Sequence, residues 1–216
     1  RPFLWGHHTA AGFFYAINGL YSGGYSLEWL FKVLNDNFDL FNKLSDAFPD
    51  QIPIFIPYIR GADYEEAKGA FLNLDDNTDR KTLLQGLVIC LCFELRSIWE
   101  EMEKTLEVSI EKIINVGGAA HNQYWMNMKA SVLKHTISIP KDKEFGCRGA
   151  ALLAGIGCGI FRDADDTEKN AFELDKTYKP DDDLVVKLDT WYRLYSDLIE
   201  DMKVINKKID RGMRIV

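Results

Sequence analysis

The chain has 216 residues, 47% of them hydrophobic, 12% aromatic and 27% charged, with only 6 prolines. Such ordinary globular make-up excludes the collagen-like, disordered and disulfide-scaffold classes. With 26 Lys and Arg against 33 Asp and Glu the formal net charge is −7, so neither nucleic acid nor an anionic membrane surface is an expected partner.

From the N-terminus, Trp5 to Ile17 is rich in aromatic and apolar residues around Gly12 and predicts a strand. Asn18-Gly19 and Ser22-Gly23-Gly24 are turn signals. The spacing of Leu27, Leu30, Phe31 and Leu34 predicts a helix starting near Ser26, and Phe38, Phe41 and Leu44 to Phe48 predict a second, stopped by Pro49. Ile52 to Ile56 with Tyr58, punctuated by Pro53 and Pro57, predicts an edge strand or extended loop. Gly69 to Leu74 predicts another short strand. Asp75, Asp76 and Asn77 offer turn and N-cap chemistry to a long helix, on which Leu84, Leu87, Val88, Leu91, Leu95, Ile98 and Met102 form a core stripe.

The second half alternates more regularly. A strand over Ile110 to Val116 runs into Gly117-Gly118, a helix capped by Asn122 runs from there to Leu133, and a strand at Thr136 to Ile139 stops at Pro140. Gly146 to Cys158 predicts a helix whose small residues let backbones approach. The last helix starts near Asp183, with Trp191, Leu194, Tyr195, Leu198, Met202, Ile205 and Ile209 on one face. Strands alternating with helices predict an α/β domain with partly parallel pairing. With no repeat, low-complexity tract or dividing linker, residues 1–216 are expected to form one domain.

The longest apolar run, Leu83 to Phe93, is broken by Gln85 and Gly86 and meets Glu94 and Arg96, short of the ~20 residues that cross a bilayer. Cys90-x-Cys92 imitates a zinc pair, but positions two apart on a helix point to different faces and no second pair follows. Cys90, Cys92, Cys147 and Cys158 are therefore expected to be free structural thiols, with no metal site, in a cytoplasmic protein. The opening Arg1-Pro2-Phe3 has neither an initiator Met nor a leader pattern, so a piece of a longer protein is the expectation.

One stretch carries chemistry: Asn115-Val116-Gly117-Gly118-Ala119-Ala120-His121-Asn122. Glycines there allow a sharp turn and let a flat ligand lie against bare backbone, and the helix start beyond supplies free N–H groups suited to anions. A turn that needs small residues only for packing is the plainer reading of the spacing alone.

Gly-Gly-Ala-x-x-Asn-x-x-Trp after an Ile/Val-rich strand resembles the nucleotide turn in the C-terminal domain of FGGY-family carbohydrate kinases. Four further segments are similar to that family in order. They are Asn18-Gly19 with Gly24-x-Ser26-Leu27-x-Trp29; Phe55 to Gly61 with Lys68-Gly69-Ala70-Phe71; Gly86 with Leu95-Arg96; and Glu144-x-Gly146-x2-Gly149-Ala150-Ala151-x2-Ala154. Tyr178-x-Pro180 with Tyr192-x2-Tyr195 is similar to the closing segment. The resemblance implies an actin-like, ribonuclease-H-like lobe with a mixed sheet flanked by helices, the second of two that close over ATP and a sugar. It implies that Gly118 and Asn122 contact the adenine end of ATP, with Gly117 and Ala119 lining the turn through backbone. It implies ATP with Mg²⁺ as cofactors, a sugar held mainly by the other lobe, and a catalytic Asp and phosphate loop before Arg1, so that no catalytic residue lies in this chain.

The chain departs from the family pattern at Ala119, Asn127, Ser131 and Gly61-Ala62-Asp63, where other residues are frequent. Asp36, Asp39, Asp46 and Asp50 read as a solvated face, and the aspartates at 163, 165, 166 and 181 to 183 as turn and cap clusters. His7 and His8 are placed near the interlobe cleft, His121 in the turn facing solvent, and His135 at a helix end. The expected activity is phosphorylation of a sugar, by preference a pentulose, by the full-length protein. A homodimer is left open as a partner. The rival is a non-catalytic actin-like module that assembles through the Trp191 to Ile209 face.

Overall fold

The structure is a computed structural model and describes residues 3–35, 38–44, 48–49, 51–142, 144–168 and 173–213. Asp36, Asp46 and Asp50, and positions 45–47 of the second expected helix, lie outside the described residues.

The described residues form two hairpins, a small mixed sheet and seven α-helices, and the long, buried third helix packs against the second hairpin. Strands β1 (Leu4–His7) and β2 (Phe14–Ile17) pair antiparallel, so the single strand expected over Trp5 to Ile17 is folded back on itself. His8 N–H donates to Phe13 O across the turn, and Gly12 takes a φ of +86°, which glycine alone adopts without cost. Helix α1 (Gly23–Leu34) buries Ser26, Leu27, Leu30 and Phe31, and the short α2 (Phe38–Asn42) adds Phe41. Asp39 is exposed on α2, as a solvated face requires.

Strands β3 (Ile54–Ile56) and β4 (Ala70–Leu72) form the second hairpin. Every residue of β3 is buried, although Pro53 and Pro57 limit its length. The thiol of Cys90 accepts the Phe55 N–H at 3.3 Å, so a helix side chain satisfies a donor on that strand.

Helix α3 (Arg80–Leu106) starts at Asp79, not at the expected Asp75 to Asn77. Asp79 Oδ1 accepts the Thr82 N–H and the Thr82 hydroxyl receives the Asp79 N–H, a reciprocal box. Asp75 and Asn77 instead close the preceding turn through the Asn77 N–H and Asp75 Oδ1. The helix is 27 residues long and apolar enough to cross a bilayer by length and composition, contrary to the expectation from Leu83 to Phe93. Its apolar surface is spent inside the protein, because Leu84 to Glu94 are buried all round the helix and not along one stripe.

Strands β5 (Ile113–Ile114), β6 (Ile137–Pro140) and β7 (Leu174–Tyr178) make a mixed sheet in which β5 and β6 are parallel and β6 and β7 antiparallel. Helix α4 (Gln123–Leu133) joins the parallel pair and packs on α3. Helix α5 (Phe145–Gly157) corrects a packing expectation: Gly149, Ala150 and Ala151 are exposed, and a Cβ at Gly146 or Gly149 would meet nothing within 4 Å. Only Gly155 makes a close approach, to the Phe161 ring. Helix α6 (Ala164–Glu168) is preceded by Asp163, whose Oδ1 accepts the Asp166 N–H.

Helix α7 (Asp182–Met213) is capped by Asp181 and crosses α4 and α3. Leu188, Tyr195 and Met202 are buried there, while Leu194, Ile205 and Ile209, expected on the same face, are 43–50% exposed. Burial works against the charge of Asp189, yet bonds from Lys134 and Arg96 prevail and hold its carboxyl below the ordinary value. That aspartate ties α3 and the end of α4 to α7. Ser131, a departure from the family pattern, is buried and accepts the Asp181 N–H.

Cys90 and Cys92 are buried, and burial pushes both thiols well up, Cys92 to about 12. Cys147 and Cys158 are exposed. A native thiol-disulfide exchange assay should therefore titrate two thiols quickly and all four only after unfolding. Four fast thiols contradict the buried α3, and two or fewer after non-reducing denaturation contradict free cysteines.

Candidate functional site

The site is built where two parallel strands end. β5 leaves the sheet at Asn115 and turns at Gly117, whose φ of 90° and ψ of −178° belong to a region that essentially only glycine occupies. A single 3₁₀ turn over Gly118–His121 follows, and α4 starts after Asn122. Beside it β6 ends at Pro140. Ligands of parallel α/β sheets bind outside such carboxyl ends.

A cavity of about 410 Å³ lies there, lined by Asn115, Gly117, Gly118 and His121 on the turn and by Lys141 and Lys176 from the neighbouring strands. A Cβ placed on Gly118 or Gly117 would meet no protein atom within 4 Å, so the backbone of the turn is bare and faces open space. The residue that needs a glycine backbone is Gly117, for Gly118 has no positive φ.

The four expected binding residues separate into two pairs. Gly117 and Gly118 face the cavity. Ala119 is partly buried against the core, and Ala120 lines the cavity in its place. Asn122 is only 7% exposed, and both ends of its amide are engaged within the protein. Its Oδ1 accepts the Trp125 N–H at 2.8 Å, the N-cap bond of α4, and its Nδ2 donates to Phe41 O at 3.0 Å. Asn122 thus anchors the turn to α2, a contact between residues 81 apart that no local pattern signals.

Lys129, not singled out from the sequence, reaches back from α4 to Asn115 Oδ1 at 2.5 Å. Burial pushes its ammonium below the ordinary lysine value, and it lies 5.8 Å from the centre of the Trp125 ring. Lys141 pairs with Glu173 at 2.6 Å. Of the other histidines, His7 stacks on Phe14 in the first hairpin, His8 Nδ1 accepts the Ala10 N–H, and His135 lies by Trp99. Among the described residues no group of three or more His, Cys, Asp or Glu side chains is placed to hold a metal ion.

The double role of Asn122 sets a test. Asn122→Ala removes the cap and the Phe41 bond together and should cost about 2 kcal/mol in a denaturant titration. Asn122→Ser keeps a capping oxygen and should recover about half of that loss. Equal losses for both would show that the cap contributes nothing.

The pattern of the C-terminal domain of the FGGY family of carbohydrate kinases matches residues 1–158. Glycerol kinase of Pasteurella multocida is 28% identical over 182 residues, 78% of this chain and 35% of the relative. That of Mycoplasma pneumoniae is 30% identical over 165 residues, 72% of this chain and 32% of the relative. The chain thus spans about a third of the length of these curated relatives. Among solved structures, xylulose kinase from Rhodospirillum rubrum superposes with a TM-score of 0.83 at 22% identity, over 95% of this chain and 43% of that one. Plasmodium falciparum glycerol kinase with ADP gives 0.73 at 20%, over 87% and 38%. The fold is the actin-like, ribonuclease-H-like lobe that the sequence implied. With a family match over most of its length and that lobe around the bare turn, the chain belongs to the FGGY family of carbohydrate kinases, of which it carries the C-terminal domain.

Proposed function

We propose that this chain is the nucleotide-binding lobe of an ATP-dependent sugar kinase and that the adenine end of ATP lies against Gly117 and Gly118. The observation that carries the reading is the bare turn: two glycines at the end of a parallel strand line a cavity, and an added Cβ at either would occupy open space. A flat ring packs there on backbone alone. Ala119 and Asn122 act behind the turn, Ala119 by packing on the core and Asn122 by fixing where the 3₁₀ turn ends. The ADP in the similar Plasmodium falciparum structure supports a nucleotide as the occupant.

Phosphoryl transfer is mostly positioning and electrostatic stabilisation. In our reading the catalytic base, the phosphate loop and the ligands of Mg²⁺ belong to the other lobe, and no step is assigned to Mg²⁺ on this chain. The first hairpin, with Leu4 and Trp5 each 72% exposed, offers that lobe an apolar surface. The acceptor we propose is a pentulose, and glycerol is the competitor that the names of the curated relatives bring in. The assembly-module rival loses ground because Tyr195 and Met202 of its proposed face are buried in the core. A cytoplasmic location fits the buried, free Cys90 and Cys92.

Two measurements test this reading. In the full-length protein Gly118→Val should raise the ATP dissociation constant about tenfold, leave the sugar constant little changed and leave the melting temperature intact, because its Cβ meets no protein atom. Gly117→Ala should lower the melting temperature instead, by forcing roughly 1–3 kcal/mol of backbone strain. ATP binding that survives Gly118→Val in a folded protein would make the turn purely structural.

Residues 1–216 alone should give no sugar-dependent ADP release with a panel of pentuloses and glycerol. The full-length protein should turn over one of them. Turnover by the isolated chain places the base within these residues and overturns the two-lobe division of labour.

A further inference from the structure

A second cavity, of about 470 Å³, lies between α3, α7 and the loop after β3, and shares no lining residue with the cavity at the Gly-Gly turn. Its volume is ordinary for a small-molecule site. Its floor is a carboxylate: Glu94 is only 3% exposed, and the hydroxyls of Tyr58 and Tyr195 donate to its Oε1 at 3.2 and 2.9 Å. Burial and the Glu94 charge hold the Tyr195 hydroxyl protonated far above the ordinary tyrosine value, so it stays a donor.

The walls are aromatic. The rings of Tyr58 and Tyr64 meet at 89° with centroids 6.1 Å apart, forming a corner, and Tyr192 lies on the α7 side. Asn206 Nδ2 donates to the Tyr64 hydroxyl at 2.9 Å and fixes that ring from α7. Higher up, Asp63, Glu101 and Glu200 add carboxylates, against two lysines, Lys203 and Lys207. Lys203 is paired with Glu200 at 2.6 Å.

We propose that this cavity is a binding site for a small alkylammonium compound, a short chain ending in one or two protonated amines. Negative charge exceeds positive along the lining, so an anion such as phosphate is disfavoured. Tyrosine faces attract a cation held above them. A buried carboxylate at the floor of a recess walled by tyrosines gives an ammonium a charge-assisted partner. A neutral polyol fits the same volume but gains neither the ring attraction nor the charge. The site is separate from nucleotide binding, and its existence does not depend on the kinase reading.

The test uses the full-length protein and two probes of the same shape, 1,4-diaminobutane and 1,4-butanediol, in calorimetric titrations up to about 10 mM, where millimolar affinity saturates. Saturable binding of the diamine, and at least tenfold weaker binding of the diol, is expected. Glu101→Gln, on the wall, should weaken the diamine about three- to tenfold, and Glu94→Gln about tenfold or more, both without changing ATP affinity. Should Glu94→Gln fail to fold, Glu101→Gln and Tyr64→Leu carry the test. Equal binding of the two probes, no saturable diamine binding, or diamine binding indifferent to Glu101 and Tyr64 would each overturn the proposal.

Discussion

The contact on which the rest depends is the approach of α3 to the segment before β3. A Cβ on Gly86 would stand 2.1 Å from the carbonyl oxygen of Pro53, a separation that no side chain tolerates. The missing side chain lets the helix lie directly on the chain entering β3, and everything from Leu84 to Phe93 is then enclosed. Each fully buried Leu, Ile or Phe there contributes roughly 1.5–3 kcal/mol. Close packing makes that seam rigid, for protein interiors have few voids to absorb a shift. The Cys90 thiol, one turn further along, accepts the Phe55 N–H and locks the register of helix and strand.

Both cavities inherit their geometry from this helix. α4 packs on α3 and sets the two side chains that hold the Gly-Gly turn from behind, Asn122 at its end and Lys129 through Asn115. The turn itself is free of side chains and therefore cannot hold its own shape. Its rigidity comes from the anchor to Phe41 O and from the one left-handed residue, Gly117. A binding surface of bare backbone is thus supported by residues that need not touch the ligand.

On the other flank α3 supplies Glu94, and α7 closes over it with Tyr195. Taking a carboxylate out of water is costly unless its hydrogen bonds are kept, and the two tyrosine hydroxyls from β3's exit and from α7 meet that need. The same pair ties residues 36 and 101 positions away to the helix. The Arg96–Asp189–Lys134 cluster then joins α3, α7 and the end of α4 at one aspartate. Surface ion pairs are individually weak, so the cluster fixes orientation more than it stabilises.

Local pattern decided much of this protein. The apolar run of α3, the Asn-capped start of α4, the parallel β5–α4–β6 unit and the Gly-Gly break were legible, because each rests on spacing and alternation along a continuous stretch of chain. The ordered motifs identified the family for the same reason. Some of what stayed illegible is itself local: Gly12 folds Trp5 to Ile17 into a hairpin, and the Asp79–Thr82 box takes the helix start away from Asp75 to Asn77. The rest depended on distant neighbours, or on their absence: nothing packs within 4 Å of where a Cβ on Gly146 or Gly149 would stand. Asn122 showed as a cap, but its hold on Phe41, 81 residues earlier, did not. Nor did the meeting of Glu94, Tyr58 and Tyr195. A sequence states which side chains are available at helical or strand period; which of them share a cavity is set by how the closed core brings remote segments together.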